Sequence, residues 1–475
     1  MHLIASLKLL APLSLYFAGV LCVILAFSGH IRWALLLVVL LSPLRNVVER
    51  LQEFPLGNQF MDMLFGAMLF GWLASSIFLR AKFAEKSSLN LISVVLIFYT
   101  FISVGIGSHY LYGGFSFDPG DPRLQDAKNF CLLPILFFLT LNGIKEKKWA
   151  RRTFLVTCAA MVLMDYYTSS QVIQFSSLVS RAKMHGTFQY LGPNEVAAFY
   201  NANSMVMLGI YFFMKKGWQK MALLGLILVN MYCMMFMYSR AAYAATAVGL
   251  FLIFAIKKKK FLIPLFLVVI FWQVALPQKA VERIEGTKNV LGEYDESAAK
   301  RFDVWTGAIQ IFQKNPLAGT GYGTFRHMGF ELGDTHNIYV KIAAEQGVVG
   351  LSILAVLFLC FMREGYKLYK KGEDDESKGL GLGFSVAVVV LLLNNLFGDR
   401  WSYYEMNAYF WVYAGLVARL NALSQQPSQP IAAPEPKNIK PGPARSSQPS
   451  RRKLSAKISI HFIIRPPVAK KVIKQ

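Results

Sequence analysis

The chain has 475 residues, of which 55% are apolar and 16% charged. A soluble protein carries about 45–50% apolar and about 25% charged residues, so this balance excludes a soluble multidomain enzyme and makes lipid the main solvent. Fifty Lys and Arg against 27 Asp and Glu give +23, but the cations flank apolar runs or fill the tail, as topology anchors do, and no nucleic-acid partner is expected.

Residues 1–60 read as an N-terminal membrane segment. Positions 9–44 fit either one crossing plus a half-helix, the preferred reading, or two crossings broken at Ser28-Gly29-His30. An anchor is expected here, with no cleaved signal. Runs long enough for a hydrocarbon layer about 30 Å thick then recur at 61–79, 89–106, 127–144, 153–169, 195–214, 221–238, 241–256, 261–276, 347–362, 380–397 and 406–420. With one crossing ahead of them, the expectation is an all-α polytopic membrane protein of about twelve transmembrane helices. The bundle divides into 61–276 and 347–420 around a long connector, 277–346.

Three dense basic connectors, Lys145–Arg152, Lys215–Lys220 and Lys257–Lys260, are separated by even numbers of crossings. All three therefore share one side, which the positive-inside rule makes cytoplasmic. The connector 277–346 then faces outward and the tail, 421–475, inward. Rich in Pro, Ser, Gln and Lys, with eleven Lys or Arg against Glu435 beyond residue 425, the tail is expected to be disordered and solvated, contact with anionic lipid being the second reading. The cysteines Cys22, Cys131, Cys158, Cys233 and Cys360 lie far apart in apolar stretches and read as buried hydrophobes, with neither a disulfide framework nor a zinc site.

A 70-residue connector inside a compact protein carries structure or function of its own. After Asp303, the residues Trp305, Ala308, Ile309 and Phe312 recur at helical spacing, predicting a helix at the outer membrane surface. Asn315-Pro316 stops it, and Gly319-Thr320-Gly321-Tyr322-Gly323 reads as a turn, since it follows no strand and lacks the lysine of a phosphate-binding loop. His336 then stands at the mouth of a helix. A lone histidine is usually a satisfied surface or core residue, but its pKa near neutrality also makes it the most frequent general base. Arg240 is held between two spans with almost no loop, Arg283 and Arg301 belong to the connector, and Arg181 with Lys183 precedes another outward segment, Gly186 to Glu195. Singly, each fits a side chain snorkelling to water. Together, with few acids nearby, they suit an anionic ligand, and diphosphate matches the guanidinium fork.

The segment His336-Asn337, nine residues, Gly347, two residues, Gly350 resembles the histidine motif of bacterial O-antigen ligases and the related O-antigen and exopolysaccharide polymerases. Arg301 with Trp305, the run Asn315 to Gly323, Tyr238-Ser239-Arg240-Ala241-Ala242, and Gly186-Thr187-Phe188 with Pro193-Asn194 are similar to further elements of that family. The resemblance covers about residues 180–420. It implies a GT-C-type membrane glycosyltransferase of the bacterial inner membrane, working on the periplasmic face without cofactor or metal. Such an enzyme passes a glycan from undecaprenyl diphosphate to a hydroxyl of lipid A core, another glycan or a protein. His336 would be the base, and Arg240 and Arg301 would hold the diphosphate, with Arg283 and Arg181 as further candidates. Asn337, Asp334 and Glu345 are supporting candidates, Asp334 to orient His336 and Glu345 to pair with an arginine. The rival class is a flippase or transporter for lipid-linked sugar, which should carry polar or broken helices at mid-membrane; mid-span ionisable residues are nearly absent here. A structural scaffold is the third reading.

Overall fold

The computed structural model describes residues 2–78, 82–115, 117–175, 180–286, 296–330 and 333–425. The expected disordered tail lies, beyond Gln425, outside the described residues. Those described are helical, with no strand among them. Lipid imposes this, because a helix satisfies its own backbone N–H and C=O groups where no water can. In chain order the principal helices are α1 (His2–Phe27), α2 (Ile31–Leu41), α3 (Phe60–Phe78), α4 (Leu89–Tyr112), α5 (Pro122–Gly143), α6 (Lys147–Gln174), α7 (Pro193–Phe213) and α8 (Trp218–Met235). They continue with α9 (Arg240–Lys257), α10 (Leu262–Ile270), α11 (Gln278–Glu285), α12 (Glu296–Lys314), α13 (Ile338–Lys371), α14 (Asp375–Asn394) and α15 (Tyr404–Leu423).

Among the described residues, eight helices are long and apolar enough to cross a membrane, or up to nine if the pair Ile31–Leu41 and Arg45–Glu53, bent by 109°, counts as one span. The chain is thus a multi-pass membrane protein, and the expected count of about twelve is not reached. Two of the expected spans fall in α6 and α15, which are long but carry Arg151, Arg152 and Asp165, and Glu405 and Arg419. The run 261–276 breaks at Phe271 into Leu262–Ile270 and Trp272–Ala275. Near the N-terminus the 26-residue α1 and the 11-residue α2 have the lengths of the crossing and half-helix of the preferred reading. Gly29, at φ +81°, ends α1 and lets the chain reverse into α2, because a residue without Cβ takes that conformation at no steric cost.

The three basic connectors gather at one end of the bundle. Lys147 ion-pairs with Asp374 at 3.2 Å, Arg151 donates to Gln219 at 3.0 Å, and Lys257 lies 3.3 Å from the Phe213 ring centroid. Among the acids buried within the described helices is Asp165, 4% exposed. With its amide turned to donate, Asn230 reaches both Asp165 oxygens at 3.0 Å. That acid is satisfied inside the packing, as a buried carboxyl must be.

At the centre of the bundle α7 and α14 meet backbone to backbone. A Cβ on Gly209 would lie 2.4 Å from the Gly383 Cα, and one on Gly383 would lie 2.6 Å from the Val206 carbonyl oxygen. In lipid no hydrophobic force drives helices together, so small residues that permit close van der Waals contact replace it. Toward the end opposite the basic connectors, Phe361 packs against Phe410 at 4.9 Å and Trp411 at 5.1 Å, and Trp401 against Phe358 at 5.1 Å. This aromatic cluster is the floor beneath the loops of that end. Replacing Gly383 by Val should force α7 and α14 apart at a cost of about 1–3 kcal/mol. The expected outcome is a lower thermal midpoint for the detergent-solubilised protein; an unchanged midpoint would contradict this packing.

Candidate functional site

Among the described residues, the non-basic end includes the loops 186–193, 236–239, 315–330, 333–337 and 395–403. Its frame is the break in α13. Gly347 takes φ +63° and ψ −160° within that helix, so Val348 N–H donates to the Pro316 carbonyl at 2.8 Å and Val349 N–H to the Leu317 carbonyl at 3.2 Å. Beyond them, Thr320 and Gly321 donate to the Ala344 and Glu345 carbonyls at 3.0 and 2.7 Å, and Tyr322 donates to the Ser103 carbonyl of α4 at 3.0 Å. A Cβ on Gly321 would lie 2.0 Å from the Gly107 backbone nitrogen. The glycine run is therefore a turn, as expected, but one clamped between two helices by its backbone.

That clamp sets α12 against the start of α13. Val304 and Ala308 are buried with Phe325 and Ala344, so the apolar stripe is rotated from the predicted one, and Ile309 is 48% exposed. Trp305 Nε1 donates to the Thr335 carbonyl at 2.7 Å. Asn337 caps α13, accepting from Tyr339 and Val340 N–H at 3.0 and 3.3 Å, a contact worth about 1 kcal/mol. Between these two anchors His336 is held at φ +49°, in the left-handed region that non-glycine residues occupy only when their surroundings over-determine it.

Among the arginines of this end, five act on His336 or on one another. The half-buried imidazole of His336 is held below its ordinary pKa, first by burial and then by the positive fields of Arg301 and Arg400, opposed by Asp334 and Glu195. Arg181, 9% exposed, donates to the Met237 carbonyl and the Asn194 amide oxygen, both at 2.7 Å. Its guanidinium is pushed down to about 10 by burial and by the fields of Arg283 and Arg240, against Glu195 and Tyr243. Glu195, at the first turn of α7, acts on both groups and ion-pairs with Arg400. His336, Arg301 and Asp334 therefore share one electrostatic environment, and Arg181, Arg240 and Arg283 another that adjoins it.

Two supporting expectations differ. Glu345 accepts the Phe325 N–H at 3.0 Å in place of an arginine, because the clamp carries it under the glycine run. Asp334 reaches His336 as a charge, without a hydrogen bond among the described residues, and its Oδ1 is buried with no partner among them.

Sequence reasoning missed Arg400, together with Asp399, which accepts from Lys341 Nζ at 2.9 Å and from Trp401 and Ser402 N–H at 3.0 and 2.8 Å. Arg400 is 5% exposed, and Trp401 beside it roots the loop in the aromatic cluster. The signal was present: Asp399-Arg400 stands between two apolar runs with hardly any loop, the same argument that singled out Arg240. Asp334, Asp399 and Lys341 also line a cavity of about 690 Å³ that opens beside the histidine loop.

No curated protein matches the chain. Residues 222–355, which contain Arg240, Arg283, Arg301, His336, Gly347 and Gly350, match the family model described as O-antigen ligase. The match supports an O-antigen ligase-like family for this chain.

Proposed function

We propose that the protein is a glycosyltransferase of the bacterial inner membrane that takes a glycan from undecaprenyl diphosphate and passes it to an acceptor hydroxyl on the periplasmic side. The observation that carries this reading is the neutral-leaning imidazole within the fields of Arg301 and Arg400, with Arg181, Arg240 and Arg283 adjoining, at the end away from the basic connectors. His336 removes the proton of the acceptor hydroxyl as its oxygen attacks the anomeric carbon. The bond from that carbon to the diphosphate oxygen breaks, and its electron pair leaves with the lipid diphosphate. Attack from the face opposite the carrier inverts the anomeric centre. Arg301 and Arg240, with Arg181 and Arg283, meet the developing charge on the diphosphate, where preorganised cations in a dry site act most strongly. Within this reading a ligase is favoured over a polymerase by the histidine motif. A flippase for lipid-linked sugar is the rival, and the satisfied environment of Asp165 gives it no polar passage at that position.

Replacing His336 by Ala should lower glycan transfer at least about 10²-fold while membrane insertion and abundance stay unchanged; wild-type transfer by the purified variant would remove the base assignment. Arg301→Lys should lower kcat/KM by about 10- to 100-fold, since a point charge cannot reproduce a forked, charge-assisted contact, and normal donor affinity in that variant would count against the diphosphate role.

The lowered pKa of His336 fixes a sign for the pH profile. The neutral base persists to more acid conditions than an ordinary imidazole, so the acid limb of kcat/KM should lie below about pH 6.5. Glu195→Gln removes a carboxylate that favours the imidazolium and should shift the limb lower still. A limb above pH 6.5, or a shift upward in that variant, would contradict the electrostatics described.

A further inference from the structure

The cavity beside the histidine loop differs in chemistry from the arginine group. All four of its lysines and arginines are ion-paired with acids of the same wall, as Arg45 is with Glu405 at 2.8 Å and Lys341 with Asp399 at 2.9 Å. Seven carboxyl groups line it against those four cations, so it repels a diphosphate. Its volume of about 690 Å³ lies within the usual range for small-molecule sites. On one wall the Tyr190 hydroxyl donates to Glu405 Oε2 at 2.6 Å, and the Arg45 guanidinium stacks 4.7 Å from the Tyr190 ring centroid. Burial and the neighbouring Glu405 carboxylate raise the Tyr190 pKa, so the phenol stays protonated as a donor. On another wall stands Asp334, whose buried Oδ1 has no hydrogen-bond partner among the described residues. Buried acceptors left in that state are rare, and a ligand hydroxyl satisfies them.

We propose that this cavity is the acceptor site and takes an uncharged stretch of carbohydrate, its hydroxyls read by Glu405, Tyr190 and Arg45 on one wall and by Asp334 beside the base. The proposal rests on the transferase reading and adds a division of the site. The donor diphosphate is held on the arginine side of His336 and the acceptor sugar on the acid-and-tyrosine side. Paired charges suit this task, because a carboxylate and a guanidinium locked together offer acceptors and donors to a sugar while presenting no net field that would attract the donor head group.

The test uses the full chain in vesicles with its lipid-linked glycan donor, and offers three acceptors: lipid A core, a second lipid-linked glycan and a protein bearing serine hydroxyls. Inorganic pyrophosphate serves as the competitor for the donor side. Glu405→Gln should raise the acceptor KM about tenfold, as loss of one charge-assisted hydrogen bond does, and leave the pyrophosphate inhibition constant within about twofold. Tyr190→Phe removes a single hydroxyl and keeps the test valid if the Glu405 variant does not fold; it should raise the acceptor KM in the same direction. An unchanged acceptor KM in Tyr190→Phe, a pyrophosphate constant that moves with it, or transfer to protein hydroxyls and to neither carbohydrate acceptor would overturn the proposal. His336→Ala is run alongside. If it abolishes transfer while the cavity variants behave as wild type, the transferase stands and the acceptor site is wrong; if it transfers normally, the base assignment falls by itself.

Discussion

The left-handed bend at Gly347 is the constraint on which the rest of this end depends. A continuous helix would spend the Val348 and Val349 N–H groups internally. The break frees them for the Pro316 and Leu317 carbonyls, and so ties the segment after α12 to the middle of α13. With the segment fixed there, Gly321 presses on the backbone of Gly107, α12 settles over Ala344, and Trp305 reaches the carbonyl before His336. The histidine therefore owes its place to a backbone clamp eleven residues along the chain. The spacing between the histidine and the two glycines is in this light a mechanical distance, the stretch of helix between a cap and a break.

Electrostatics then divides the end into two regions. Arg240 and Arg283 act on Arg181, Arg301 and Arg400 act on His336, and Glu195, paired with Arg400, acts on both. Arg181 is depressed first by burial and then by the fields of Arg283 and Arg240. The cavity on the other side of the histidine loop has every cation ion-paired and an excess of carboxyl groups, and suits a ligand that brings hydroxyls and no negative charge.

How much of this was legible in the sequence varied by physical cause. Spans with strong apolar contrast, such as Leu89–Tyr112 and Asp375–Phe397, announce themselves by composition. The helix α12 was legible from its period, but its buried face was rotated, because Val304 and Ala308 pack where the clamp directs them and Ile309 does not. The N-terminal reversal at Gly29 was one of two readings that composition leaves open. Charged residues wedged between apolar runs were a usable signal for Arg240, and the same signal at Asp399-Arg400 was passed over. Their partners were not legible at all: Glu195 and Arg400 are 205 positions apart, and nothing local in either segment specifies the other. Glu345 was assigned an arginine on charge alone, and the fold gave it a backbone N–H.

The central claim is that His336 and Arg301 act on one reaction in one site, and a double-mutant cycle on glycan transfer tests it most directly. His336→Ala, Arg301→Lys and the combined variant are compared by kcat/KM. The account predicts strong non-additivity, the double variant being little worse than the poorer single one, as for groups that work as a unit. Losses that simply multiply would show two independent sites and contradict it.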